Sequence, residues 1–170
     1  MPFTPFHAGP AAAIKAVIPR YFSFTVFCFA QVVTDCESAY HMIRQEYPVH
    51  RWMHTYAGAT LVALFCIIVG RPFCQFFLGL WNKWRDAPFK HSFLTTDPIS
   101  WTSASIGAFI GTYSHVFLDS VTHSDVAPFG PINSANPFYS NFRALAVHLV
   151  CIILGLLGSW FIAKPISKRE

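Results

Sequence analysis

The stretch Tyr113-Ser-His-Val-Phe-Leu-Asp-Ser-Val-Thr-His123 ends an apolar run, Trp101–Leu118, that approaches membrane-spanning length. It places His115, Asp119 and His123 at positions i, i+4 and i+8, which lie on one face of an α-helix. A histidine and a carboxylate at this spacing can share one metal ion. Because burying such groups without a partner is costly, we expect other polar residues to converge on this face.

The composition is that of a membrane protein. The 170 residues are 54% hydrophobic, 17% aromatic and 12% charged, whereas a soluble domain carries about 25% charged residues. The net charge of +4 comes without a basic cluster or a nucleic-acid motif, so we expect no direct nucleic-acid binding. The five cysteines include no C-x-x-C pair and are expected to be small core residues.

The apolar runs predict an all-α, polytopic membrane fold in one domain, 1–170. We expect full spans over 49–70, 99–122 and 143–164, an interfacial helix over 73–85 and an ordered loop over 123–142. Two arrangements are open for residues 1–36: a single span broken at Pro19, or a hairpin of two short helices. The hairpin is preferred because Lys15 and Arg20 can then reach the interface near its turn.

Alternating the spans across the membrane brings most of the histidines to one face. The first helical unit ends there, the span over 49–70 begins there, and the span over 99–122 ends there. The side chains expected at this face are His7, Asp35, Glu37, His50, His54, His115, Asp119, His123, Asp125 and His148. Neutral imidazole and carboxylate together indicate a site for zinc, manganese or iron.

Each of these groups also has a plainer interpretation. His50-Arg-Trp-Met-His54 spaces two imidazoles for a metal but lacks the glutamate of the zinc-protease motif, and interfacial histidines often contact only headgroups. Arg51 can stabilise an anionic transition state or bind a lipid headgroup. His123, Asp125 and His148 are expected to orient substrate or ligands, although a helix-end histidine can simply favour the helix dipole.

The basic residues predict an orientation. Of the 12 lysines and arginines, only Arg44, Arg51 and Arg143 fall on the site side. Those on the opposite side are Lys15, Arg20, Arg71, Lys83, Arg85, Lys90, Lys164, Lys168 and Arg169. The positive-inside rule makes the opposite side cytoplasmic. We therefore expect the site to face the periplasm or exterior and the C-terminus to be cytoplasmic.

Four motifs carry a resemblance to a known family. They are Met1-Pro-Phe-Thr-Pro-Phe-His7, Asp35-x-Glu37, His50-Arg-x-x-His54-Thr and Gly111-x-Tyr-x-His115-x-x-x-Asp119-x-x-x-His123. Over residues 1–137 the chain resembles the bacterial membrane-bound metal-dependent hydrolases, small inner-membrane proteins related to the LexA-regulated hydrolase. The resemblance implies metal ligands at His7, Asp35, His54, His115 and Asp119, with His50 and Glu37 as further candidates.

The resemblance implies a hydrolase of the bacterial inner membrane with one or two divalent ions, zinc foremost. A water of lowered pKa would attack the substrate, with Glu37 or His50 as general base and Arg51 binding a phosphate or carboxylate. The membrane face favours a lipid or amphiphilic substrate, such as a phosphoester. Two alternatives are a non-enzymatic membrane protein with a structural or regulatory metal site, and a haem or metal-transport protein.

Overall fold

A computed structural model of the chain describes residues 5–84 and 98–163. The helices in these ranges are α1 (Ala8–Val17), α2 (Phe24–Ile43), α3 (Tyr56–Phe65), α4 (Arg71–Trp84), α5 (Trp101–Thr122) and α6 (Asn141–Ala163). Short 3-10 helices cover Pro5–His7 and Trp52–His54. No strand occurs in the described ranges, so the predicted all-α class is confirmed there. The first residues of the N-terminal motif, 1–4, and the basic residues Arg85, Lys90, Lys164, Lys168 and Arg169 lie outside the described residues.

Helix α5 lies against α2 with almost no space between the two backbones. A Cβ atom added at Gly107 would lie 2.5 Å from the carbonyl oxygen of Ser23, and one at Gly111 would lie 3.1 Å from that of Phe27. Small residues four apart allow this close approach of helices in membranes. The two helices run parallel, so the C-terminal halves of both reach one end of the bundle, which we call the site end.

Helix α1 packs against α6 through equally close contacts. A Cβ atom at Gly9 would lie 1.9 Å from the carbonyl oxygen of Cys151, and one at Gly158 would lie 2.4 Å from the nitrogen of Ala13. Both helices begin at the site end and run antiparallel to α2 and α5. Helix α1 has 10 residues, so it is about 15 Å long, half of a ~30 Å hydrocarbon core. Residues 8–43 are therefore two helices rather than one broken span.

The turn between α1 and α2 is closed by a buried lysine. The Nζ atom of Lys15 donates to the carbonyl oxygens of Pro19, at 2.7 Å, and Phe22, at 3.0 Å. Carbonyl groups after a helix end have no partner within the helix, and a cation there also favours the helix dipole. Lys15 therefore points into the turn between α1 and α2, near which the hairpin interpretation places it.

Helices α3 and α4 form one continuous helical segment, where a span over 49–70 and a separate interfacial helix over 73–85 are expected from the sequence. A π-helical turn over Cys66–Gly70 joins them, and its widened bonding pattern includes a hydrogen bond from the Arg71 N–H to the carbonyl oxygen of Cys66. Pro72 cannot donate a backbone hydrogen bond, and its ring would clash with the preceding turn of a regular helix. The wider π turn accommodates the proline without ending the helix.

The start of α3 is set by a cap and a glycine. Thr55 Oγ1 accepts a hydrogen bond from the N–H of Gly58 at 3.0 Å, so the helix begins at Tyr56. A Cβ atom at Gly58 would lie only 2.0 Å from the carbonyl oxygen of Trp52. This close packing holds the 3-10 turn Trp52–His54 against α3 and so positions His54.

Two helices of the described chain are long and apolar enough to cross a membrane, Tyr56–Trp81 and Asn141–Ile162. Only 11% of the apolar window in the second is buried, which suits a helix that faces lipid. Helix α5, expected to be a third span, is long but not apolar enough to join them. The reason is its central place in the bundle, where many of its small and polar residues are buried, namely Ser103, Gly107, Gly111, Thr112, His115, Asp119 and Ser120.

We predict that Gly107→Ala destabilises the protein by about 1–3 kcal/mol, the usual cost of forcing an extra group into a packed interface. Gly79→Ala on α4 is the matched control, because a Cβ atom there meets nothing within 4 Å. Thermal unfolding in detergent measures the difference. Equal Tm values for the two variants would contradict the close approach of α2 and α5.

Candidate metal centre

Four buried side chains converge at the site end of the bundle. Helix α2 contributes Asp35, helix α5 contributes His115 and Asp119, and the 3-10 turn before α3 contributes His54. Their exposed fractions are 5%, 1%, 3% and 0%, in that order. One ligand atom from each lies within 4.8 Å of the others, so these residues, called the inner cluster, could hold a metal ion.

Five of the six distances within the inner cluster lie close to the edge length of a tetrahedron around one ion. His115 Nε2 lies 3.2 Å from Asp35 Oδ1, 3.1 Å from Asp119 Oδ2 and 3.3 Å from His54 Nε2. His54 Nε2 lies 3.4 Å from Asp119 Oδ2 and 3.9 Å from Asp35 Oδ1. A metal bound to nitrogen and oxygen at about 2.0–2.1 Å holds tetrahedral ligands roughly 3.3 Å apart. The four side chains are therefore already spaced for a single ion.

Gln31 fixes the protonation of His115. The Nε2 amide group of Gln31 donates to the carbonyl oxygen of Gly111 at 3.0 Å, so its amide oxygen faces His115 Nδ1 in a short hydrogen bond. Because this oxygen can only accept, Nδ1 carries a proton and Nε2 of the neutral ring carries a lone pair. That lone pair faces two carboxylate oxygens and His54 Nε2, which is repulsive unless a cation or an extra proton lies between them.

Glu37 supports His54 in a similar way. Glu37 Oε2 lies 3.4 Å from His54 Nδ1 and accepts the backbone N–H groups of Arg51 and Met53, while Oε1 accepts that of Trp52. The carboxylate therefore caps the 3-10 turn and orients the imidazole. Carboxylates commonly support metal-bound histidines through the second ring nitrogen. These contacts favour a positioning role for Glu37, and its predicted role as general base stays a prediction.

The inner cluster requires a positive charge. Burial alone would lower the pKa of His54, but contacts with Asp119, Asp35 and Glu37 raise it to about 10. A metal-free cluster therefore holds an imidazolium at neutral pH. A divalent cation would replace that proton and balance both carboxylates of the cluster.

A second group of donors, called the outer cluster, consists of His50, Asp119 and His123, with one ligand atom from each within 4.8 Å of the others. His50 Nδ1 lies 3.0 Å from Asp125 Oδ1, and Asp125 Oδ2 accepts the backbone N–H groups of Val49 and His50. Burial lowers the pKa of His50, so this ring is neutral at pH 7 and keeps a lone pair on Nε2. The side chain of His123 is 27% exposed, which places the outer cluster nearer the surface.

His7 reaches the site from the N-terminal 3-10 helix. Its Nε2 lies 3.6 Å from Asp119 Oδ1, and its ring packs edge-on against His115 with centroids 5.0 Å apart. Burial lowers the pKa of His7 to about 4, so the ring is neutral. The resemblance places His7 among the ligands, whereas the structure places it beside Asp119 and outside the four atoms of the inner cluster.

Arg51 and His148 have contacts of their own away from the two clusters. Arg51 Nε donates to the carbonyl oxygen of Pro48 at 2.9 Å, and its Nη2 lies 3.3 Å from Glu46 Oε2. His148 Nδ1 donates to the carbonyl oxygen of Ala144 at 2.7 Å, one turn earlier in α6. The roles expected for both residues at the site stay predictions.

Gln31 and Ser38 are site residues that the sequence analysis does not include. Ser38 Oγ lies 3.3 Å from His54 Nε2, and Gln31 holds the outward nitrogen of His115. Both share a helical face with Asp35, since the three positions are spaced i, i+4 and i+7. The available signal was a lone amide side chain, Gln31, inside an otherwise apolar run.

A protein family described as a domain of unknown function, DUF4184, matches residues 1–134 of the chain. The match includes all members of the inner and outer clusters and ends before α6 begins. No curated protein and no solved structure matches the chain.

We predict that Gln31→Leu lowers the affinity for Zn²⁺ by about 10–100-fold, because the ring of His115 loses the acceptor that orients it. Gln31→Glu keeps an oxygen facing Nδ1 and should retain most of the affinity. Competition with a chromophoric chelator measures both values. Unchanged affinity in Gln31→Leu, or an equal loss in both variants, would contradict the positioning role of Gln31.

We predict that zinc affinity rises with pH by at least about tenfold per unit between pH 6.5 and 8.5. The raised pKa of His54 means that the metal-free cluster holds at least one proton throughout this range, and binding must displace it. The same chelator competition, repeated at several pH values, tests the slope. A flat profile would show that no proton is exchanged for the ion.

Proposed function

The chain belongs to the DUF4184 family, and we propose that it is a membrane-bound metal-dependent hydrolase whose ion is held by Asp35, His54, His115 and Asp119. One observation carries the proposal. Two imidazole Nε2 atoms and two carboxylate oxygens, all buried, face one another at the spacing of a tetrahedral metal site.

The donor set supports zinc, with manganese and iron as further candidates. Neutral imidazole and carboxylate suit these metals, and neither cluster in the described chain includes a cysteine. When bound, the ion would polarise the scissile group and lower the pKa of a water molecule that attacks it. The inner cluster would hold one ion, and a second ion would be held by the outer cluster.

Other side chains of the chain prepare the site for this chemistry. Gln31 and Glu37 hold the outward nitrogens of His115 and His54, so that both lone pairs point inward. Asp125 holds His50 in the same manner, which leaves one nitrogen of His50 available to a proton or a cation. The surrounding burial excludes bulk water and so strengthens the electrostatic interactions at the reacting group.

The position of the site supports a lipid or another amphiphile as substrate. Both candidate spans begin at the site end, so the clusters lie at the level of one membrane face rather than in its middle. His123 and Arg51 are partly exposed at that end. A phosphoester headgroup fits this setting, because it offers an oxygen to the ion and a negative charge to an arginine.

The charge distribution supports a site on the periplasmic face of a bacterial inner membrane. Lys15 and Arg20 line a cavity together with Ser100, which caps the start of α5 at the end opposite the site. At the same end, the guanidinium of Arg71 lies 4.2 Å from the ring centroid of Trp101. The positive-inside rule assigns this basic end to the cytoplasm.

A structural or regulatory metal site is the second candidate function. Four protein donors complete a tetrahedral shell, as in structural zinc sites, whereas catalytic sites keep an open position. The near-complete burial of the inner cluster favours this alternative. In that case the ion would tie α2, α5 and the turn before α3 together, and no substrate would be converted.

Activity assays on the zinc-loaded chain in lipid nanodiscs separate the two candidates. We predict hydrolysis within a panel of phospholipids, soluble phosphoesters and carboxylesters, and a loss of about 100-fold or more in Asp119→Ala and His115→Ala, together with loss of zinc. His41→Gln is the control, because His41 pairs with Glu46 at the end of α2 and should leave zinc content and activity unchanged.

A negative activity assay also distinguishes the two candidates. If the zinc-loaded chain converts no substrate while His115→Ala sharply lowers the Tm, the structural candidate replaces the hydrolase. A Soret band in the purified protein would indicate haem and contradict both candidates.

A further inference from the structure

We infer that the chain binds two divalent cations, one at the inner cluster and one at the outer cluster of His50, Asp119 and His123, with the carboxylate of Asp119 bridging them. The inference deepens the proposed function and rests on it for the inner ion. It concerns how many ions the site holds and which residues hold the second, and it gives His50 and His123 the role of ligands.

The two carboxylate oxygens of Asp119 face different sets of imidazoles. Oδ2 lies 3.1 Å from His115 Nε2 and 3.4 Å from His54 Nε2, on the side of the inner cluster. Oδ1 lies 3.5 Å from His123 Nδ1 and 3.6 Å from His7 Nε2. A carboxylate with imidazole rings beside each of its oxygens has the arrangement needed to bridge two ions, which in two-metal sites lie about 3.5–4 Å apart.

The outer histidines are held by oxygen atoms in the same way as the inner ones. His50 Nδ1 contacts Asp125 Oδ1 at 3.0 Å, and His123 Nδ1 contacts Thr122 Oγ1 at 2.8 Å. The Thr122 hydroxyl donates to the carbonyl oxygen of Leu118 at 3.1 Å, so toward His123 it acts as an acceptor. His123 Nδ1 therefore carries a proton in the neutral ring, and Nε2 is the nitrogen left for an ion. Each of the four histidines in the two clusters therefore has one nitrogen held by an oxygen atom, which is the support that metal-bound imidazoles usually have.

His7 is a further buried imidazole beside Asp119 Oδ1, which its Nε2 faces at 3.6 Å. Its ring is buried, and Nδ1 has no hydrogen-bond partner within the described residues. A buried unpaired ring nitrogen is costly, and a purely structural histidine would be expected to pair both of its nitrogens. His7 is thus a further donor beside the oxygen that the outer ion would share.

The outer cluster is also the side on which a substrate would arrive. The side chain of His123 is 27% exposed, whereas those of the inner ligands are almost completely buried. An inner ion with four protein ligands has little room for substrate, but an outer ion with three can keep an open position. A two-ion site of this kind suits the ester of a phosphoric acid, whose oxygens can contact both ions.

Manganese titration of the full chain in nanodiscs tests the inference. We predict two Mn²⁺ per chain by elemental analysis and an exchange-coupled signal by electron paramagnetic resonance, because the bridging carboxylate couples the two ions. His123→Asn and His50→Asn should each bind one Mn²⁺ with an uncoupled signal, while His41→Gln should bind two. Circular dichroism confirms that each variant is folded, and the coupled signal of the unmodified chain tests the inference even if a variant is not.

One Mn²⁺ per chain at saturation, or two ions that show no coupling, would overturn the inference. Retention of the second ion in both His123→Asn and His50→Asn would do the same. The number of bound ions and the hydrolase activity are tested by separate measurements. A single ion with hydrolysis intact removes only the outer ion, whereas two coupled ions without hydrolysis of any substrate leave this inference standing and remove the hydrolase.

Discussion

Two imidazole nitrogens and two carboxylates are buried together at the site end, and this arrangement requires a positive charge between them. Charged groups in a low-dielectric interior are strongly destabilising unless they are paired. In the inner cluster, the proton on His115 Nδ1 is committed to Gln31, so Nε2 of the neutral ring presents a lone pair to Asp35 and Asp119. Added protons on the imidazoles can offset the charge of the two carboxylates in the metal-free chain. A divalent ion balances all of it and satisfies every donor with one centre.

The helices are packed in the way that this constraint requires. Asp35 belongs to α2 and His115 to α5. The two helices must therefore lie close together for these side chains to meet. Gly107 and Gly111 allow that contact by lacking a Cβ atom. Gly58 likewise lets the turn that carries His54 lie directly on the start of α3. The glycines therefore act on function indirectly, by deciding how near the ligands can approach one another.

The sequence predicted the helical class and the gathering of His54, His115, Asp119 and Asp35 at one end, because helical spacing and alternating spans are regular rules. It did not predict Gln31, since an amide in an apolar run has no recognisable motif. It also missed the continuity of α3 and α4, because an Arg-Pro pair normally ends a helix and only a π turn let this one continue. The contacts of Lys15 and Glu37 depend on the exact direction of each side chain, which the sequence alone does not predict.

X-ray absorption spectroscopy of the purified chain at the zinc edge reports the atoms bound to the ion without any assumption about activity. We expect a first shell of nitrogen and oxygen at about 2.0–2.1 Å, with the outer-shell scattering of imidazole rings and no sulfur. Sulfur neighbours at about 2.3 Å, or a metal bound without imidazole, would contradict a site made of the two histidines and two aspartates.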